Sequence, residues 1–130
     1  MKSGLNILTI CLLLFLFFQK AQGQVFSVKC NDDRSRYMVL ETLKRLNAKL
    51  TRDTVEADYM VECHITAPQD FKAKHKGCII IYDRMRTEIA RTSEIRRNAC
   101  AANGFNAAAD IFQVLVEDQL PALINKIINQ

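Results

Sequence analysis

The side chains best suited to chemistry in this chain are Cys30, Cys63, Cys78 and Cys100, with His64 beside the second and His75 shortly before the third. Sulfur and imidazole from Cys63, His64, His75 and Cys78 are ligand types that tetrahedral zinc accepts. Adjacent residues of a strand point to opposite faces, so an extended Cys63-His64 pair does not converge on one ion. A thiol hydrolase needs a base within hydrogen-bond reach of its sulfur, and the set available is Cys63 and Cys78 with His75. The third chemistry is cystine formation. Four cysteines allow three pairings and spacing alone selects none. The pairing expected joins Cys63 to Cys78, on strands expected to be neighbours, and Cys30 to Cys100. Neither a metal nor another cofactor is expected.

Cystine requires an oxidising compartment, and the start of the chain bears on that. Lys2 precedes an apolar core from Ile7 to Phe18, and the small residues of Ala21-Gln22-Gly23 follow. This is the order of a secretory signal cleaved after Gly23. The core has 12 residues, whereas a membrane-crossing helix needs about 20, so stable membrane insertion is not expected. Cys11 lies inside the core and leaves with it. The reading is a leader at 1–23, one domain at 24–130, and a periplasmic or secreted location. Loss of Lys2 and Lys20 leaves 16 basic residues against 14 acidic ones. So even a balance excludes a nucleic-acid binder, whose affinity comes largely from neutralised phosphates.

The elements that must hold these side chains follow from periodicity. QVFSVKC alternates, with Phe26, Val28 and Cys30 on one side, and predicts a first strand. After a polar NDDRS turn, Tyr37, Val39, Leu40, Leu43, Leu46 and Leu50 recur at helical spacing and predict one buried helix face. YMVECHITA predicts a half-buried strand with Tyr59, Val61, Cys63 and Ile65 together. APQDFKAKHK, with Lys72, Lys74, His75 and Lys76, reads as a basic loop. CIIIYD is a continuous apolar run suited to a central strand. It leads through DRMRT into EIARTSEI, whose Ile89, Arg91, Ser93 and Ile95 share a side of a hairpin partner. From Ala107 to Ile127 a broad apolar face predicts a long covering helix. Pro121 lacks an amide hydrogen and crowds the carbonyl of Glu117, so a kink is expected there, or a break capped by Asp118. The order predicts an α+β layer: a β-α-β-β-β-α chain forming a four-stranded mixed sheet covered by two helices.

Arg84, Arg86, Arg91, Arg96 and Arg97 gather at the end of the predicted hairpin and make a candidate face for an acidic partner. No phosphate loop or nucleophile-base-orienter set is visible in the spacing.

Ala57-Asp58-Tyr59-Met60-Val61 opens a strand after an amphipathic helix, and Ile81-Tyr82-Asp83 is followed by Arg86-Thr87-Glu88-Ile89. In these features the chain, over residues 25–128, resembles small periplasmic α+β modules. They are the N-terminal domain of the Tol translocation protein, the lipoprotein activators of penicillin-binding proteins, and the curli-secretion lipoprotein. Thr87 runs directly into Glu88 where those families place a glycine, and no lipid-bearing cysteine stands at the leader's end. The resemblance implies a non-catalytic envelope accessory or protein-interaction module whose partner is another envelope protein. A small-molecule carrier with a pocket between the sheet and the C-terminal helix is the alternative, followed by a thiol hydrolase.

Overall fold

A mixed sheet carries both helical segments on one face. The computed structural model describes residues 6–12, 24–66, 74–98 and 107–130. Strand β1 is Val25–Lys29, helix α1 Asp33–Arg45, β2 Lys49–Leu50, β3 Tyr59–Thr66, β4 Lys74–Asp83, β5 Glu88–Arg91 and β6 Ile95–Asn98. The C-terminal helical segment comprises α2 (Ala107–Val114), a π-helical turn (Leu115–Gln119) and α3 (Leu120–Ile128). The strand order is β2-β1-β3-β4-β5, with β6 also pairing with β4. Both β2 and β3 run parallel to β1, while β3, β5 and β6 run antiparallel to β4.

The α+β class and the mixed sheet agree with the sequence reading, but the sheet has six strands where four were expected. The two additions are short. β2 is only two residues long, and the segment expected as one strand over 88–95 is divided. A register shift between Ile81 and Tyr82 turns Ala90 toward the helices and leaves Ile89 43% exposed. At the break, the Thr92 N–H donates to the Ile79 carbonyl (2.9 Å), and the Ile79 N–H donates back to Thr92 Oγ1 (2.9 Å). The Thr92 hydroxyl thus replaces a ladder acceptor where the edge strand is interrupted. Lys74, His75 and Lys76, expected in a loop, begin β4 opposite Asn98, Arg97 and Arg96.

Helix α1 starts at Asp32, whose Oδ1 accepts from the Ser35 N–H (2.8 Å). Hydrogen bonding from Ser35, the side chain first, holds the Asp32 carboxyl below its usual range. Asp33 in the first turn and Lys44 and Arg45 in the last complement the helix dipole. The helix ends with Asn47 at φ 57°, where the Asn47 N–H donates to Lys44 O and the Ala48 N–H to Leu43 O. That is a Schellman pair, and asparagine tolerates the left-handed backbone it needs. The buried face is Ser35, Val39, Thr42 and Leu43. Tyr37, expected in that stripe, is 63% exposed.

In the C-terminal segment, Leu115 and Leu120 stand five apart and both are fully buried. An α-helix would rotate one of them away; the π turn absorbs the extra residue. The Leu120 N–H reaches back to the Leu115 carbonyl just ahead of Pro121, which has no amide hydrogen to offer. Asp118 caps no second helix, because the residue before α3 is Gln119 and it makes no side-chain cap. The Gln119 carboxamide instead reaches the strand break, where its Oε1 accepts from the Ser93 N–H at 2.8 Å. The core formed under both helical segments contains Phe26, Val39, Leu43, Val61, Ile79, Ile81, Ile111, Phe112, Leu115 and Ile124.

Residues 6–12 are helical and exposed, and among the described residues no helix is long and apolar enough to cross a membrane.

Candidate functional site

Register sorts the sulfur and imidazole side chains onto two faces. On β4, Ile79 lies opposite Cys63 and Cys78 opposite His64. Cys63 therefore points under the helices, whereas Cys78 and His64 point to the outer face. The pairing expected between Cys63 and Cys78 does not form, because their side chains leave the sheet in opposite directions. The expected Cys30–Cys100 pairing lies outside the described residues. His75 faces the helical side opposite Arg97, three residues and one face away from Cys78. Cys63, Cys78 and His75 are thus not gathered into one site. Among the described residues no three of His, Cys, Asp and Glu are placed to hold a metal ion.

The surroundings of Cys63 and Cys78 also favour the protonated thiol. Cys63 is pushed far above its ordinary value, first by its hydrogen bond with Cys30 and then by burial. Burial raises Cys78 as well, although the nearby Arg91 opposes it. A protonated thiol is a weak nucleophile.

The five arginines do not gather at one end of the hairpin: Arg84 and Arg86 lie in the β4–β5 turn beyond Asp83, whereas Arg96 and Arg97 pair with Lys76 and His75 at the other end of β4, and most of their charge is matched locally. Arg84 pairs with Asp58 (2.9 Å), Arg96 with Glu94 (2.8 Å) and Arg97 with Asp110 on α2 (2.8 Å). Arg91 holds Glu88 in a two-pronged ion pair, with Nη2 to Oε2 at 2.6 Å, and keeps that carboxyl below its usual range. Arg86 occupies a left-handed backbone position (φ 62°) in the turn and donates to the Met60 sulfur. Asp83 fixes that turn by accepting from the Met85 and Thr87 N–H groups, both at 2.9 Å. Charged side chains along an exposed edge discourage strand addition there.

At the opposite edge of the sheet the pattern differs. β2 covers β1 only at Val25 and Phe26, and the last contact is the Thr51 N–H on the Phe26 carbonyl (2.9 Å). Alternation along a parallel ladder turns the backbone of Val28 to this same side. Among the described residues it meets no neighbouring strand there. Beside this open stretch lies a groove of about 600 Å³ between α1 and the sheet edge. Val28, Leu40 and Leu50 give it an apolar floor, and Tyr37 stands on its rim. Helical spacing brings Arg36, Leu40 and Lys44 to the same flank of α1, and Arg52 faces them across the groove. Lys44 is engaged by Glu41 (3.1 Å), whereas Arg36 and Arg52 form no ion pair among the described residues. Asp33 also lines the groove, and Asp53 is occupied in its own turn, accepting from the Val55 N–H at 2.8 Å.

None of this groove was marked by the sequence reading. Tyr37 and Leu40 were assigned to the core stripe, and Arg36 was not singled out. The available signal was the i, i+4, i+8 spacing of Arg36, Leu40 and Lys44.

A separate cavity of about 310 Å³ lies between the start of α1, the sheet and α2, lined in part by Met38, Cys63, Ile65 and Phe112. It opens near the start of the C-terminal segment, at Ala108 and Phe112, and not at the expected kink near Pro121. Pro121 borders only a shallow hollow of about 250 Å³ with Thr42 and Val116.

No protein-family model matches the chain, and the comparison with curated proteins found no match. Two lipoproteins are among the solved structures to which the chain shows a low similarity. A minor lipoprotein from Acinetobacter baumannii is 13% identical at a TM-score of 0.42, over 82% of this chain and 89% of that one. The uncharacterized lipoprotein B from Nitrosomonas europaea is 12% identical at a TM-score of 0.44, over 83% of this chain and 81% of that one. A likeness at that level assigns neither ligand nor partner.

Proposed function

We propose that the chain is an exported, non-catalytic interaction module that holds an extended acidic segment of another envelope protein against β1. Export rests on the leader read at residues 1–23. The observation that carries the docking assignment is the groove beside β1, where an open strand edge, an apolar floor and two cations without carboxylate partners occur together. An incoming strand supplies backbone partners to Val28, drops alternate apolar side chains onto Leu40 and Leu50, and turns acidic ones to Arg36 and Arg52. The arginine-rich edge at β5 and β6 is the weaker surface, since Glu88, Glu94, Asp58 and Asp110 already take up most of its charge.

The test uses a fluorescein-labelled peptide alternating Val with Glu, and a Val–Lys peptide as its control. Anisotropy should show the acidic peptide bound and the basic one not. The double variant Arg36→Glu/Arg52→Glu should weaken binding about tenfold, because each reversal at an exposed rim is worth on the order of 1 kcal/mol. Arg91→Glu/Arg96→Glu should leave binding unchanged. Failure of the acidic peptide to bind, or binding indifferent to the first pair of reversals, refutes the assignment.

The cavity at Cys63 and Phe112 favours a second reading, carriage of a small molecule. Native mass spectrometry of the exported protein should then show an added small-molecule mass that disappears on denaturation. A bare polypeptide mass would count against carriage.

A further inference from the structure

We propose that Cys30 and Cys63 are joined by a disulfide that ties the end of β1 to β3. This does not rest on the groove assignment. The parallel register runs Val28↔Val61 and Lys29↔Glu62, so the next residues along both chains are Cys30 and Cys63. Neighbouring strands lie about 4.8 Å apart, within the Cα separation a disulfide spans. Both side chains fall on the helix-facing side, and their sulfurs are 2.6 Å apart. Both thiols are free in the structure, and that spacing is longer than a disulfide bond of about 2.05 Å, so the bridge closes with only a small approach of the two sulfurs. Cys78 is no competitor for Cys63, because it emerges from the other face opposite His64.

Exposure sets the order of the chemistry. Cys63 is 7% exposed and Cys30 is half-buried, so an external oxidant meets Cys30 first. The oxidant is itself a disulfide: in the envelope, that of a thiol–disulfide oxidoreductase. The Cys30 thiolate attacks one of its sulfurs, forms a mixed disulfide and expels the first thiolate. Cys63 then gives up its proton and attacks the Cys30 sulfur, expelling the second thiolate. Two thiol protons and two electrons leave the protein, and the oxidant departs as two thiols. The remaining cysteine pair, Cys78 and Cys100, is not needed for this exchange.

The experiment takes the full chain exported by its host and purified without reductant. One half is treated with excess glutathione disulfide, and both halves are unfolded in iodoacetamide and digested with trypsin. The expected product is the Cys30–Arg34 peptide linked to the peptide containing Cys63, at the mass of the two less two hydrogens. Both sulfurs should escape alkylation until dithiothreitol is added, and the link should persist in Cys78→Ser/Cys100→Ser. If the protein arrives reduced, glutathione disulfide should close the same bridge. Cys30 and Cys63 both alkylated after that treatment would overturn the proposal, as would linkage of either one to Cys78 or Cys100. Neither result bears on peptide binding in the groove, which is read separately through Arg36 and Arg52.

Discussion

Gly77→Val is expected to destabilise the fold by about 3 kcal/mol, the upper end of the range for overpacking a core. Gly77 lies on β4 between Ile65 of β3 and Ile95 of β6, under helix α2. A Cβ at this position would come within 2.6 Å of the Ile111 Cγ2 methyl and 3.4 Å of Ile65 Cγ1. Ile111 is fully buried, and its Cγ2 is bonded directly to its Cβ. That methyl moves only if χ1 leaves its preferred well or if α2 lifts from the sheet. Gly77→Ala should already cost about 2 kcal/mol, against the usual gain from replacing glycine in a strand. Thermal melts should show a fall in Tm of about 4 °C per kcal/mol for a domain of this size. The cause is specific to one contact, so it is separable. In an Ile111→Ala background, where the opposing methyl is gone, adding Gly77→Ala should cost far less than it does alone, a coupling of roughly 1–2 kcal/mol. A neutral or stabilising Gly77→Ala in the wild-type background would mean that α2 does not pack this closely on β4.

Thr92→Val is expected to cost about 2 kcal/mol although it preserves shape, because it leaves a buried donor without an acceptor. Thr92 is 4% exposed, and its hydroxyl is the acceptor for the Ile79 N–H at the point where β5 has ended and β6 has not begun. Valine keeps the branched shape and the Thr92 N–H bond to the Ile79 carbonyl, so packing loss is not the cause. Thr92→Ser keeps the hydroxyl and should recover most of the stability. Hydrogen exchange gives the site-resolved measurement: the Ile79 amide should lose protection in Thr92→Val and keep it in Thr92→Ser. Equal protection in the two variants would show that another group satisfies that amide.

Much of the scaffold was legible because it obeys a simple period. The alternation from Val25 to Lys29, the 3.6-residue stripe through Val39 and Leu43, and the apolar run Ile79–Ile81 each name their element by pattern alone, although Leu50, read into that stripe, belongs to β2. The failures are where tertiary pairing overrides local pattern. Ile-Arg-Arg-Asn has no strand signal, yet it becomes β6 because Lys74–Gly77 offers it a ladder. Lys-His-Lys looks like a solvated loop for the same reason that it works as the start of a strand near a charged edge. In α1 the buried positions include Ser35 and Thr42, while Tyr37 faces out, so ranking by hydropathy picked the wrong flank. The five-residue step from Leu115 to Leu120 was visible, but only the π turn explains it.

The site was less legible than the scaffold. Cys30 and Cys63 meet only because β1 and β3 are parallel neighbours, and sequence spacing carries no trace of that register. The groove likewise joins Arg36 of a helix to Arg52 of a loop across a strand edge. The arginines that stood out in the sequence did so by density, and the same density of acidic neighbours matches most of their charge.

The docking assignment is tested most directly by titrating the alternating Val–Glu peptide into isotopically labelled protein and following backbone amides by NMR. The account predicts that the Val28 amide shifts and becomes protected from exchange, with Arg36, Leu50 and Arg52 perturbed around it. Perturbations confined to Arg91 and Arg96 at the other edge, or an unmoved Val28 amide at saturating peptide, would contradict it.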